Sequence, residues 1–484
     1  MRIAAERFAI LVLILQLYFN SSRLEAQTSG WSVPIALNDR NLPTSYPSLA
    51  IGKHGELFVA WERQTSTYPS AKAQIMFASK TGQTWSEAIA ISDTGRWDWT
   101  PDIAVDTLGA VHIVWGEAGT GEIYHIAFDG TDWTQPENIS QDSGNSYFPR
   151  IAIDRKNKIH VVWHDDSRGD YSIYYRSFDG IEWTAPQVIS DSLPYSIYPR
   201  IAIGPDDGVH FTFMSRAGSS STTDVFYRQW RDGGWSPIMR ITNDSSQSVY
   251  PVVGVTSSNK PFVTWEQAFP NLTGSPIERI CWVSYDGSHW SAPGNVDDTS
   301  RSMRPSVAVD GADRIHIVWQ LWDPSTGKTS ILYKHSQKEF WTPALNITGS
   351  TTSSSSPIIN VDNMNACHVV WVASDNGIYY TTCSSINDIV SQDRTSPEVF
   401  VVEQNYPNPF NGRTNIRYSL SQAAQVVVSL YDVLGRVLYS WKGPAQQPGV
   451  YTMPLEVPQL PTGAYFYQMR VGSMVKTKKL ELIR

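Results

Sequence analysis

Apolar and polar positions alternate with a period of two through most of this chain, in short runs separated by polar turns. That is the pattern of half-buried strands. The stretch from Phe148 to Trp163 shows the unit: Ile151-Ala152-Ile153, a polar turn from Asp154 to Lys158, then Ile159 to Trp163 with apolar residues around His160. A third strand at Ile173-Tyr174-Tyr175, an Asp179-Gly180 turn and a fourth strand from Trp183 to Ile189 complete a four-stranded antiparallel unit. The chain writes this unit seven times. Aligned on the proline that opens each copy, the repeats start at Pro47, Pro101, Pro149, Pro199, Pro251, Pro305 and Pro357, at spacings of 54, 48, 50, 52, 54 and 52 residues. A period near fifty marks an array of sheets, a propeller or a solenoid.

Two tryptophan series decide between these. One ends the second strands: Trp61, Trp115, Trp163, Trp265, Trp319 and Trp371, with Phe213 in the fourth copy. The other opens the fourth strands: Trp85, Trp133, Trp183, Trp235, Trp290 and Trp341, one short of seven. The missing Trp-x-x-Pro strand stands ahead of the first copy, at Trp31 to Leu37. If it completes the last sheet, the array closes into a ring with only short, protected edges. The predicted fold is all-β: a seven-bladed β-propeller closed by an N-terminal strand. First strands should be innermost, with Trp and Tyr filling the wedges between blades. His112, His160, His210, His316 and His368 recur in the second strands. Equivalent positions on different blades face different gaps and cannot converge on one ion, so packing is their expected role.

Composition changes the picture at the two ends. Met1 to Ala26 reads as a secretory signal, with Arg2 and Arg7 ahead of a nearly all-apolar run from Phe8 to Phe19 that is too short to span a bilayer. The propeller is expected over 27–386, a linker over 387–397, and a small immunoglobulin-like β-sandwich of alternating strands over 398–484. Net charge is −8 overall, +4 from Glu398 onward and −12 before it, so nucleic acid is not an expected partner. No transmembrane segment and a monomeric state are expected. Cys367 and Cys383 fall opposite one another across the Asp375-Asn376 turn, so a disulfide between them is conceivable, against a reading as buried thiols.

The hairpins Phe128-Asp129-Gly130 to Trp133, Phe178-Asp179-Gly180 to Trp183 and Tyr285-Asp286-Gly287 to Trp290 resemble a shortened Asp-box, the repeat of bacterial sialidases and related propellers. The likeness covers most of 31–386 and implies fold more than activity. Sialidases hold a substrate carboxylate with three arginines, the first in a Phe/Tyr-Arg-Ile-Pro motif. The matching place here is Tyr46-Pro47-Ser48, without arginine, and Arg63 does not match one of the three. No Tyr–Glu nucleophile pair can be assigned, and the family's known propellers of this activity have six blades. The tail resembles the C-terminal sorting domain of type IX secretion substrates, through Asn405-Tyr406-Pro407-Asn408-Pro409-Phe410-Asn411, Tyr431 to Arg436 with Gly435, Pro461-Thr462-Gly463-Ala464-Tyr465 and the Lys476 to Lys479 segment with Lys478 and Lys479. That resemblance implies the type IX machinery as partner, periplasmic transit, and release or attachment at the outer cell surface. A carbohydrate-binding sandwich is the alternative for the tail, disfavoured because no exposed aromatic platform stands out.

Function is expected on the loops at one face of the ring, which differ between copies. Arg150, Arg200 and Arg304, near the starts of three first strands, are candidates to grip a carboxylate or sulfate, or else to pair with rim acids. Arg63, His164, Arg168, Arg216 and Trp322 are further ligand-binding candidates, and Trp97 and Trp99 are candidates for stacking on a sugar, or for packing. No cofactor is predicted; Asp165, Asp166 and Asp170 are a possible Ca²⁺ set, although a turn has this composition in any case. The expected role is non-catalytic binding of a glycan or other surface ligand. The rival is a sialidase-like glycoside hydrolase or a polysaccharide lyase with a rearranged site drawing on Glu62, Asp165, Asp166 and Glu266.

Overall fold

The computed structural model describes residues 30–65, 72–141, 143–217, 222–244, 246–269, 277–297, 301–337, 340–349, 352–383, 400–420, 423–432, 436–457, 460–471 and 474–483. The signal segment 1–26, the linker 387–397 and Gly435 lie outside them. The chain divides into two compact units, Met1–Ile386 and Asn387–Arg484.

The described residues of the first unit form seven antiparallel sheets of four or five strands each, numbered here 1 to 7 in the order of their first strands. Sheet 3 is typical: Ser146–Ile153, Ile159–Asp165, Ser172–Phe178 and Gln187–Val188 pair in sequence order. First strands pack side by side in cyclic order, that of sheet 7 (Ser354–Val361) returning to that of sheet 1 (Thr44–Ile51). The outermost strand of sheet 7 is the N-terminal segment: Ile35 pairs with Tyr380, Ala36 with Tyr379, and Trp31 bridges to Cys383. The strand missing from the seventh repeat is thus supplied from ahead of the first, as the tryptophan series predicts.

Three local devices repeat around the ring. The residue before each opening proline has positive φ: Tyr46 (49°), Thr100 (48°), Phe148 (51°), Tyr198 (52°), Tyr250 (51°), Arg304 (51°) and Ser356 (52°). Non-glycine residues rarely sit there, and here each pairing register slips across the proline, which has no N–H to give the ladder. Second, the predicted continuous fourth strand is split. In sheet 3, Trp183 bridges to Phe178 and pairing resumes at Gln187–Val188, because Pro186 interrupts. The hydroxyl after the tryptophan takes over at the break: Thr184 Oγ1 accepts from Ser177 N at 3.0 Å, as Thr134 does from Ala127 N at 2.9 Å. Third, on the turns between first and second strands, an Asx side chain accepts a backbone N–H from the preceding sheet. Asn157 Oδ1 takes Thr107 N (2.9 Å), Asp313 Oδ1 takes Ser257 N (2.6 Å) and Asn365 Oδ1 takes Gly311 N (2.9 Å).

The core lies between sheets. Trp61, Trp163, Trp265 and Trp319 are fully buried, Trp61 packing with Val370 and Tyr380 across the boundary of sheets 7 and 1. The recurrent histidines do belong to packing. Four Nδ1 atoms lie 2.7 Å from Tyr175 OH (His160), 2.7 Å from Tyr227 OH (His210), 2.9 Å from Tyr333 OH (His316) and 2.8 Å from Tyr380 OH (His368), and that of His112 lies 3.1 Å from His125 Nε2. Cys367 and Cys383 are paired in register but not bonded, which corrects the conceivable disulfide. Directly opposed cross-strand bridges strain the link, and Cys367 Sγ instead lies 3.3 Å from His316 Nδ1 in the neighbouring sheet.

In the second unit, Phe400–Val402, Arg413–Leu420 and Gly449–Glu456 form one sheet, and Val437–Gln446, Ala424–Tyr431, Gly463–Val471 and Met474–Leu482 another. One apolar core that includes Phe400, Tyr418, Val428, Tyr467 and Leu480 holds them together. The Asn405 to Phe410 segment is lashed to this core. Asn405 is buried and donates to Thr414 Oγ1 (3.0 Å), Asn408 Oδ1 accepts from Glu481 N (2.7 Å), and Phe410 is 1% exposed. Lys479 pairs with Glu481 at 2.7 Å. Tyr406, Tyr439 and Phe466 are exposed on this unit.

Candidate functional site

First strands begin, and second strands end, on the same face of the ring, so the residues flanking each opening proline surround one end of the channel. The channel is a cavity of about 340 Å³ lined from all seven first strands. In each strand the residue after the proline lines it: Ser48, Asp102, Arg150, Arg200, Val252, Ser306 and Ile358. The residue before the proline, turned by its positive φ, belongs to the mouth. Phe148 contacts Tyr46 (ring centroids 6.2 Å apart), Trp99 (5.1 Å) and Tyr198 (4.7 Å), and Tyr198 contacts Tyr250 (4.9 Å).

The three predicted arginines come together, but on two levels. Arg150 and Arg200 line the channel, whereas Arg304 stands two residues earlier, before its proline rather than after it, exposed at the rim with its guanidinium 5.2 Å from the Tyr250 ring centroid. Among the described residues none of the three makes an ion pair, so the pairing with rim acids is not what the structure has. Arg150 Nη1 donates to Pro149 O at 2.7 Å, and its Nε is buried with no partner. The channel carboxylate that faces them, Asp102, already accepts from Ser48 Oγ (2.6 Å) and Ile151 N (2.9 Å). Burial, and then the like charge of Arg150, push Arg200 down to about 9; burial also lowers Arg150. Two guanidinium groups in a cavity, without an ion pair among the described residues and facing one carboxylate that already accepts two hydrogen bonds, are poised for an anion.

Glu62 and Glu266 occupy equivalent places, each directly after its second-strand tryptophan. Both are buried, and burial pushes both up to about 7. Each spans to the next sheet's pre-proline residue: Glu62 accepts from the Thr100 backbone, Glu266 Oε2 from Arg304 N at 3.0 Å. Glu62 Oε2 is buried without a partner. These two acids belong to sheets 1 and 5, which are not neighbours. Asp165 and Asp166 serve the loop. Asp165 accepts from Ser146 Oγ (2.7 Å) and Ser167 N (2.8 Å), Asp166 from Asn145 N (2.7 Å). Asp170 accepts from Tyr171 N (2.8 Å) and Tyr195 N (3.0 Å). The carboxylates of the possible Ca²⁺ set turn to separate backbone and side-chain donors, and no cluster of three metal-ligating groups occurs among the described residues.

His164 is sandwiched between Tyr147 and Phe148, both at 5.5 Å, and burial pushes it down to about 3, so it is a neutral imidazole at the mouth. Trp99 is half-buried and packs on Phe148 and Tyr147, in line with the packing alternative; Trp97 is 41% exposed. Arg63 is half-buried near the end of the second strand of sheet 1, paired on both sides, and Arg168 is exposed on its loop. Arg216 lies 4.1 Å from the Tyr195 ring centroid, and Trp322 carries Arg301 at 4.2 Å. Sequence reasoning missed Asp102, Tyr46 and Phe148 as members of the mouth. Their signal was available: all three flank an aligned proline.

Residues 404–482 match the family described as Secretion system C-terminal sorting domain. No curated protein sequence matches the chain. Among solved structures, the PL25 ulvan lyase, a polysaccharide lyase bound to -[GlcA(1-4)Rha3S]-, is 12% identical with a TM-score of 0.54, over 74% of this chain and 99% of that one. The α-L-arabinofuranosidase Arb93A from Fusarium graminearum is 11% identical (TM-score 0.47; 74% and 98% covered), and the Hadza microbial sialidase Hz136 is 12% identical (TM-score 0.41; 73% and 68% covered). No helix among the described residues is long and apolar enough to cross a membrane. The first unit thus has a β-propeller fold like that of the lyase, and the chain carries a type IX sorting domain, which implies export to the cell surface or into the medium.

Proposed function

We propose that this chain is a seven-bladed β-propeller closed by its N-terminal strand, spanning 27–386 behind a signal peptide. An immunoglobulin-like sandwich at 398–484 passes it through the type IX machinery, and the channel mouth binds an acidic glycan without cleaving it. One observation carries the ligand class: Arg150, Arg200 and Arg304 gather at the mouth with no ion-pair partner among the described residues, beside Tyr46, Tyr198 and Tyr250. Bidentate donors select carboxylates and sulfates, and tyrosines offer an apolar face with a polar tip, which suits a sugar. The uronate and sulfated rhamnose in the lyase of like fold are ligands of this chemistry.

A second reading, turnover by a glycoside hydrolase or lyase, draws on Glu62, whose protonation near neutral pH and coupling to Tyr46 are properties of a general acid or base. One experiment separates them. The purified chain, and its Arg200→Met variant, are applied to an array of uronate-containing, sulfated and neutral polysaccharides, and the bound glycans are then sized. Retention of acidic glycans at unchanged length, weakened about tenfold or more in Arg200→Met, is expected. Shortened or unsaturated products establish turnover, and equal retention of neutral glycans overturns the ligand class.

A further inference from the structure

We infer that the glycan site does not end at the channel: the junction of sheets 3 and 4 forms an outer subsite, built from Tyr171, Tyr195 and Arg216, for further units of an extended acidic polysaccharide. This rests on the reading of the mouth as a glycan site.

The junction has a floor, walls and a charge. The floor is a separate apolar cluster of buried Ile197, Met214 and Val249, over which Tyr171 and Tyr195 pack together with Tyr198 and Tyr250 of the mouth. One apolar bed therefore runs without interruption from the channel rim to the outer tyrosines. Tyr171 and Tyr195 meet edge to face at 5.8 Å, both half-buried. Their backbones are clipped together by one side chain: Asp170 accepts from Tyr171 N and Tyr195 N, and Ser196 N donates to Tyr171 O at 2.9 Å. Asp170 thus joins the loops of two sheets. Tyr195 is held at a φ of 53°, a conformation a non-glycine residue keeps only where its surroundings fix it. Exposed Arg216 lies over the Tyr195 ring, adding a cation beside an aromatic surface.

The hydroxyl groups set these tyrosines apart. Tyr175, Tyr227, Tyr333 and Tyr380, deep in the sheets, each have the hydroxyl against a histidine. Tyr171 and Tyr195 have no such partner among the described residues, so rings fixed on an apolar bed keep their hydrogen-bonding capacity for something outside the protein. A flat apolar face, unspent hydroxyls and a guanidinium suit successive sugars of which some carry acid groups. The mouth has a comparable combination, so one polymer of repeating acidic units satisfies both.

The test is a length series of glucuronate–sulfated rhamnose oligosaccharides, from two to eight sugars, titrated calorimetrically into the full chain and into Tyr195→Ala, Arg216→Ala and Arg200→Met. Affinity in the unaltered protein is expected to rise about tenfold or more between the shortest and longest members. Tyr195→Ala and Arg216→Ala should abolish that rise and leave disaccharide affinity unchanged, and Arg216→Ala, at an exposed position, keeps the test valid if Tyr195→Ala unfolds. Affinity independent of length, or variants that weaken all lengths by one factor, overturns the outer subsite alone. Disaccharide affinity indifferent to Arg200→Met overturns the mouth reading instead, and no binding at any length overturns both.

Discussion

At the scale of single residues the molecule is full of buried titratable groups, and their signs set its response to acid. Burial holds His112, His125, His164, His210, His316, His335 and His368 below the usual imidazole range. An unfolded chain takes up these protons near pH 6.5 and the native one only lower, so the stability they confer is complete above about 6.5 and is lost as pH falls toward about 4. Glu62, Asp98, Glu266 and Glu278 are shifted upward by burial and act the other way, losing their contribution as pH rises from about 4.5. Seven groups outweigh four. The urea midpoint is therefore expected to fall between pH 7 and about pH 4 at a fraction of the ~1.4 kcal/mol per pH unit that each unmatched proton carries; a midpoint that rises on acidification contradicts this.

At the scale of elements, the ring depends on a short strand borrowed from the far end of the chain. Trp31 is 4% exposed, meets Tyr333 edge to face at 5.0 Å and bridges Cys383. Trp31→Ala is expected to cost about 3 kcal/mol in urea unfolding and to speed the reaction of buried Cys383 with a thiol reagent in the native protein. Unchanged stability and reactivity would mean that the closing strand contributes little. This closure was legible in the sequence because the Trp-x-x-Pro series can be counted, and the missing member shows as an offset. The mouth was less legible. Which residue beside a proline faces the channel depends on a bulge and a positive φ that no residue-type pattern announces, so Arg304 was grouped with Arg150 and Arg200 although it sits two residues earlier, on the other side of its proline. The Asp165, Asp166 and Asp170 cluster was legible only as composition. Whether acids converge or turn to separate backbone amides is decided by loop conformation.

At the scale of the whole molecule, seven near-identical sheets make a channel whose lining is not symmetric: arginines in sheets 3 and 4, an aspartate in sheet 2, aliphatic residues in sheets 5 and 7. Repetition secures the fold, and the departures from repetition are where binding chemistry collects. The tail carries a different kind of information. Residues 404–482, within the second unit, match a family that concerns delivery, and the proposed binding role belongs to the first unit. The most direct measurement of that role is a crystal structure of the chain with a bound oligosaccharide of glucuronate and sulfated rhamnose. The account predicts a carboxylate or sulfate within hydrogen-bonding distance of Arg150, Arg200 or Arg304, at the end of the channel where Tyr198 and Tyr250 meet; an oligosaccharide seated elsewhere, with those three guanidinium groups untouched, would contradict it.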